Sequence, residues 1–179
     1  MTHRHTSITR LIAVSGAAVF ALAACGDDTP SALDDGVLSV EMSDFTYGEL
    51  PDEVPVGTEL AVANTADSEL HEFVAFRLAD DDDRSAEAIV TGDIGAVLTG
   101  GPPAMVHLAL PGSDEQIVVE GDGTFAEPGR YLILCAIPTG ADPAEYLEAA
   151  AASEGGPPQV DGGQPHFMNG MYAEIIVTA

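Results

Sequence analysis

An all-β, antiparallel sandwich or barrel is the fold class that this sequence predicts. Three observations predict it. Seven short apolar-rich segments recur between residues 36 and 178, several alternating in-out with a period of two. Gly, Pro and Asp turn signals separate them at intervals of roughly 8 to 15 residues. Only one stretch carries the start and stop signals of a helix longer than two turns. There is no visible internal repeat.

The segments, in order, are GVLSVEM (36–42), TELAVAN (58–64), EFVAFRL (72–78), AMVHLAL (104–110), EQIVVEG (115–121), RYLILCA (130–136) and YAEIIVT (172–178). In the first, Val37, Ser39 and Glu41 oppose Leu38, Val40 and Met42, as a half-buried strand requires. Between the third and fourth, ADDDDRSAEAIVTGD (79–93) holds four consecutive aspartates and room for a short helix. The aspartate run reads as a solvated loop, because calcium needs more widely spaced oxygen ligands. After the sixth, DPAEYLEAAAAS (142–153) predicts a helix. Asp142 is its N-cap, Pro143 fits the first turn, Glu145 stands three residues after the cap, and Gly155 and Gly156 stop it.

The first 24 residues differ from the rest. Arg4 and Arg10 precede an apolar run from Leu11 to Ala24 that is too short to span a bilayer, so residues 1–24 read as a secretory leader. Leu22, Ala23 and Ala24 lead into Cys25, a sequence that resembles a bacterial lipobox. The resemblance implies acylation of Cys25 and attachment to the bacterial membrane on its extracytoplasmic side. Residues 25–36 then form a polar, acidic tether to a domain spanning 37–179.

From Cys25 onward the chain carries 30 acidic residues against three arginines and no lysine, a formal charge of −27. Nucleic acid is thereby excluded as a partner, since phosphates would be repelled. Anionic lipid is excluded as an electrostatic partner too, which leaves an acyl chain to hold the protein on the bilayer. If Cys25 is acylated, Cys135 is alone and forms no internal disulfide. It is then either buried and inert or used chemically.

Outside the leader stand three histidines. His71 opens the third segment after a polar turn in which Asn64 fits the bend. Cys135 ends RYLILC. His166 and Met171 precede the last segment. Taken singly, each has an ordinary reading: a surface or loop histidine, an inert thiol, a core methionine. Together they supply two imidazoles, a thiolate and a thioether, the donor set of a blue-copper centre, in which sulfur suits Cu(I) and imidazole accepts Cu(II). Met168 competes with Met171 for the axial place and otherwise caps the site as an apolar neighbour. His107, mid-segment with no partner nearby in sequence, reads as structural. Tyr131 reads as a packing residue whose hydroxyl satisfies a turn.

NTADSELHEFVAF, PGRYLILC and HFMNGMYAEIIV, in that order, resemble the first-histidine strand, the cysteine strand and the closing His-x-x-x-x-Met loop of the cupredoxins, the plastocyanin- and azurin-type blue copper proteins. The resemblance implies a Greek-key β-sandwich binding copper through His71, Cys135, His166 and Met171, with Asn64, Glu72, Phe167 and Met168 around them. It departs from the family pattern in two places. Thirty residues separate Cys135 from His166, giving a helical insertion over about 139–164, and Glu72 stands where asparagine is usual. In the family, electrons leave through the exposed edge of the second histidine inside an apolar patch, here expected from Phe167, Met168 and Pro157–Pro158.

The function implied is a membrane-anchored, extracytoplasmic one-electron carrier, not an enzyme, with a redox partner protein at the membrane face or cell surface. A surface copper chaperone or scavenger, and a metal-free interaction module, are the alternatives. Multicopper chemistry would require further histidines, and the one His-x-His, His3 and His5, lies in the leader.

Overall fold

The structure is a computed structural model, and it describes residues 33–153 and 158–179. The leader, Cys25 and most of the expected tether lie outside these residues. Among the described residues ten strands form two sheets: β1 (Leu33–Asp34), β2 (Val37–Ser43), β3 (Thr46–Tyr47), β4 (Glu53–Pro55), β5 (Glu59–Asn64), β6 (His71–Arg77), β7 (Met105–Ala109), β8 (Gln116–Glu120), β9 (Gly129–Leu134) and β10 (Tyr172–Thr178). They are joined by the helices α1 (Ala86–Thr91), α2 (Ile94–Thr99) and α3 (Pro143–Ala152).

The first sheet runs β1-β2-β3, with β5 also paired to β2; the second runs β4-β10-β9-β6-β7-β8. Strands β6, β7 and β8 form a meander and β9 returns beside β6, which is a Greek key. The expected sandwich is what the chain forms, and all seven expected strands are present. The pairing is not wholly antiparallel, however: β2 with β5 and β10 with β4 run parallel. The end of the expected tether is also structured, since Leu33 and Asp34 pair with Leu38 and Val37 across a tight turn.

Alternation sets which faces meet. Leu38, Val40 and Met42 of β2 and Leu60 and Val62 of β5 are buried against Phe73 and Ala75 of β6 and Tyr131 and Ile133 of β9. The opposite faces of β6 and β9 are covered as well, so β6 is buried from His71 to Phe76. There Val74, Phe76, Leu132 and Leu134 pack with Ile89 and Val90 of α1 and with Phe167, while Val97 and Leu98 of α2 lie at the margin. A strand covered on both faces loses its period-two signature, and EFVAFRL shows that loss.

α3 starts as its signals demand, and the expected stop at Gly155 and Gly156 lies outside the described residues. The Asp142 carboxylate accepts from the backbone N–H groups of Ala144 and Glu145, and Pro143 occupies the first turn. Its Tyr146 is buried in the main core. Among the described residues no helix is long and apolar enough to cross a membrane.

The aspartate loop is gathered by arginine. Arg130 pairs with Glu174 and donates to the carbonyls of Asp82 and Arg84, Arg77 pairs with Asp80, and Arg84 pairs with Asp82. Tyr131 donates its hydroxyl to the Glu127 carbonyl at 2.9 Å and meets Phe125 edge to face. His107 is buried in β7. Gln116 lies near it but accepts the Val62 N–H, leaving both ring nitrogens without a hydrogen bond among the described residues. Burial lowers the His107 pKa, and Gln116 offsets this only in part.

Candidate metal centre

His71 is the first residue of β6 and Cys135 the first residue after β9, so antiparallel pairing of β6 with β9 brings both to one end of the sandwich. His166 opens a short 3-10 turn, His166–Asn169, closed by Gly170. Gly170 has φ +106°, a conformation that L side chains rarely adopt, and its N–H donates to Phe167. The turn ends at Met171, whose N–H donates to the His166 carbonyl and whose carbonyl accepts from the Cys135 N–H.

The 30-residue insertion does not loosen this arrangement, because its two ends close on each other. His166 N–H donates to Ile137, Phe167 N–H to Cys135, Thr139 N–H to Gln164 and Gly163 N–H to Thr139. This ladder sets His166 opposite Cys135 whatever the length of chain between them.

The donor atoms converge. His71 Nδ1 lies 3.1 Å from His166 Nδ1, and Cys135 Sγ lies 3.3 Å from the same Nδ1. One donor atom from each of the three residues lies within 4.8 Å of the others, and all three side chains are wholly buried. Ligands bound at 2.0–2.3 Å in a trigonal plane stand about 3.5 Å apart, so the triad fits a single ion with little movement. A soft thiolate beside two imidazoles is a donor set suited to both states of copper. Met171 is fully buried in the main core beside Cys135 in the β9–β10 register. Met168 is 51% exposed and is not a buried cap.

Burial dominates the electrostatics. It pushes the Cys135 thiol well up, and the Glu72 carboxylate pushes it further; the backbone N–H groups of Glu72 and Ile137 oppose this. Burial first, then His166, lowers the His71 pKa to about 4. His166 is lowered by burial, against the raising influence of Glu69 and Asp44. Three neutral, buried donors are what a cation can compete for, since a bound metal takes the thiol in its deprotonated form.

The surrounding residues hold the three loops together. Asn64 Nδ2 donates to the carbonyls of Glu69 and Ala109, and its Oδ1 accepts from Ala66 N–H, which shapes the turn before His71. Glu72, 4% exposed, accepts from the Ala136 N–H at 2.9 Å and the Tyr146 hydroxyl at 3.2 Å. It therefore joins the first-histidine strand to the residue after Cys135 and to α3. Burial raises its carboxyl from 4.5 to about 7, against those two hydrogen bonds. Phe167 is buried on the α1 side, with its N–H on the Cys135 carbonyl.

The expectation of an exposed second-histidine edge is corrected here. His166 is 0% exposed. Glu69 Oε2 lies 3.2 Å from its outer nitrogen, and Phe45 stands edge-on to its ring at a centroid distance of 5.0 Å. Phe45 has φ +59°, uncommon for a bulky side chain. Sequence reading missed both residues. The only signal was the acidic residue two positions before His71 in DSELHE, and Phe45 lies 121 positions away from His166 with no local cue.

No family model and no curated sequence matches the chain. Solved structures similar to it include three auracyanins. A dithionite-reduced auracyanin from the photosynthetic bacterium Roseiflexus castenholzii is 19% identical, with 80% of this chain and 98% of that one covered at a TM-score of 0.45. Auracyanin B is 13% identical, covering 80% and 88% at 0.41. Auracyanin A, described as a "blue" copper protein from the green thermophilic photosynthetic bacterium Chloroflexus aurantiacus, is 15% identical, covering 57% and 89% at 0.35. At these scores it is the donor geometry of this chain that bears on function.

Proposed function

We propose that this protein is a blue-copper electron carrier, with His71, Cys135 and His166 holding the ion and Met171 as its weak axial ligand. The observation that supports this most strongly is the convergence of two imidazole Nδ1 atoms and one thiol sulfur in complete burial. A copper ion there supplies one-electron chemistry between Cu(I) and Cu(II). The chain's own contribution is rigidity: the closed ends of the insertion, the Asn64 turn and the Glu72 hydrogen bonds fix the donors, so little rearranges when the charge changes. The same features favour a held ion over one passed to an acceptor, and slow copper release in an off-rate measurement tests that.

The carrier is tethered outside the cytoplasm through acylated Cys25. Its partner presents a basic face. The three arginines of the domain engage the aspartate loop near the Arg77 end of β6, about 20 Å along the strand from His71. Glu69 and Asp44 lie at the ligand end. Association with a basic partner should weaken as salt rises.

The test is a visible spectrum. The protein purified in detergent, given Cu(II), should develop an intense thiolate-to-copper band, and Cys135→Ser should abolish it. A wild type that binds Cu(II) without such a band, or binds none, would remove the reading.

A further inference from the structure

We propose that Glu69 is the positioning residue of the metal centre: its carboxylate accepts a hydrogen bond from His166 Nε2 and so holds the imidazole in the tautomer whose bare Nδ1 faces Cys135 and His71. The metal half of this inference rests on the copper-carrier reading; the tautomer half does not.

Glu69 Oε2 lies 3.2 Å from His166 Nε2 and 3.0 Å from the Gly140 N–H. An ionised carboxylate only accepts hydrogen bonds, so the ring nitrogen facing it must be the donor. A neutral imidazole carries one N–H, which leaves Nδ1 with a free lone pair. That Nδ1 is the atom 3.3 Å from the cysteine sulfur and 3.1 Å from His71 Nδ1. Glu69 is itself held in place: Asn64 Nδ2 donates to its carbonyl, and Gly140 clamps its side chain from the start of the insertion. Phe45 packs on the same ring and resists its rotation.

The other histidine has no such support. His71 Nε2 is buried without a hydrogen-bond partner among the described residues. The centre is thus asymmetric: the outer nitrogen of one imidazole faces a carboxylate, and that of the other has no hydrogen-bond partner among the described residues. Acceptors on the outer nitrogen of a ligating histidine fix its tautomer and raise its basicity. In this chain Glu69 also links that nitrogen to Gly140, five residues beyond Cys135, so one side chain aligns two of the three ligand loops.

The experiment uses the full chain in detergent, labelled with nitrogen-15 and freed of metal by a chelator at pH 8. Long-range proton–nitrogen correlation spectra report which ring nitrogen of His166 is protonated. Wild type should show Nε2 protonated and Nδ1 bare. Glu69→Ala should give a mixture of tautomers, and its Cu(II) affinity, measured by chelator competition, should fall about 10- to 100-fold. Glu69→Gln, whose amide oxygen still accepts, should keep the wild-type tautomer and most of the affinity. A wild-type His166 protonated on Nδ1, or a Glu69→Ala variant with the wild-type tautomer, would overturn the assignment. If wild type binds no copper, the carrier reading falls, and the metal-free spectra still decide the role of Glu69.

Discussion

Glu72 and His71 are adjacent and buried, and burial drives their ionisation in opposite senses, so their two contributions to the pH dependence of folding in the metal-free protein should oppose each other until one of them is replaced. The Glu72 carboxyl is raised from 4.5 to about 7. Below 4.5 it is protonated in both folded and unfolded chains. Between 4.5 and 7 the unfolded chain releases its proton while the folded chain keeps it, so stability falls as pH rises. At 1.36 kcal/mol per pH unit this amounts to about 3 kcal/mol by pH 8. His71 is lowered from 6.5 to about 4. Its contribution is present above 6.5 and is lost as pH falls towards 4, again about 3 kcal/mol. Between 4.5 and 6.5 the two slopes oppose each other. Glu72→Gln removes the first slope, and the amide keeps an oxygen for the Ala136 N–H. In urea unfolding with chelator and reductant present, the variant should match wild type near pH 4.5 and exceed it by about 3 kcal/mol at pH 8. A difference between the two proteins that stays constant from pH 4.5 to 8 would refute the account of Glu72 as a buried, displaced acid.

Two further substitutions test the packing that carries the site. Phe73→Ala, at a fully buried residue that meets Tyr47 edge to face at 5.5 Å, should cost about 3–5 kcal/mol, read as a lower denaturation midpoint. Gly123→Ala should cost roughly 2–4 kcal/mol in thermal unfolding: the backbone sits at φ +83°, and the new methyl would lie 2.8 Å from the buried His107 ring. An unchanged midpoint in either variant would show that the sandwich is looser than its burial implies.

Parts of this protein are set by residues close together in the chain. Short apolar runs bounded by turn residues located all seven long strands, and several of them alternate with a period of two, because the side-chain direction of a strand is fixed by its own pleat. The Asp142 cap and Pro143 located α3, because a helix N-terminus is satisfied within three residues. The order imidazole, thiol, imidazole, thioether likewise named the candidate donors before any fold was known. What tertiary structure alone decided lies between residues far apart. The His71–His166 contact spans 95 positions and the Glu69–His166 contact 97. They exist because β6 pairs with β9 and the ends of the insertion pair with each other. The covering of His166 by Glu69 and Phe45, the burial of both faces of β6, and the parallel pairing of β2 with β5 are of the same kind. A sequence window contains only one partner of each such contact, and the energy that selects the other arises when the two sheets close over a common core.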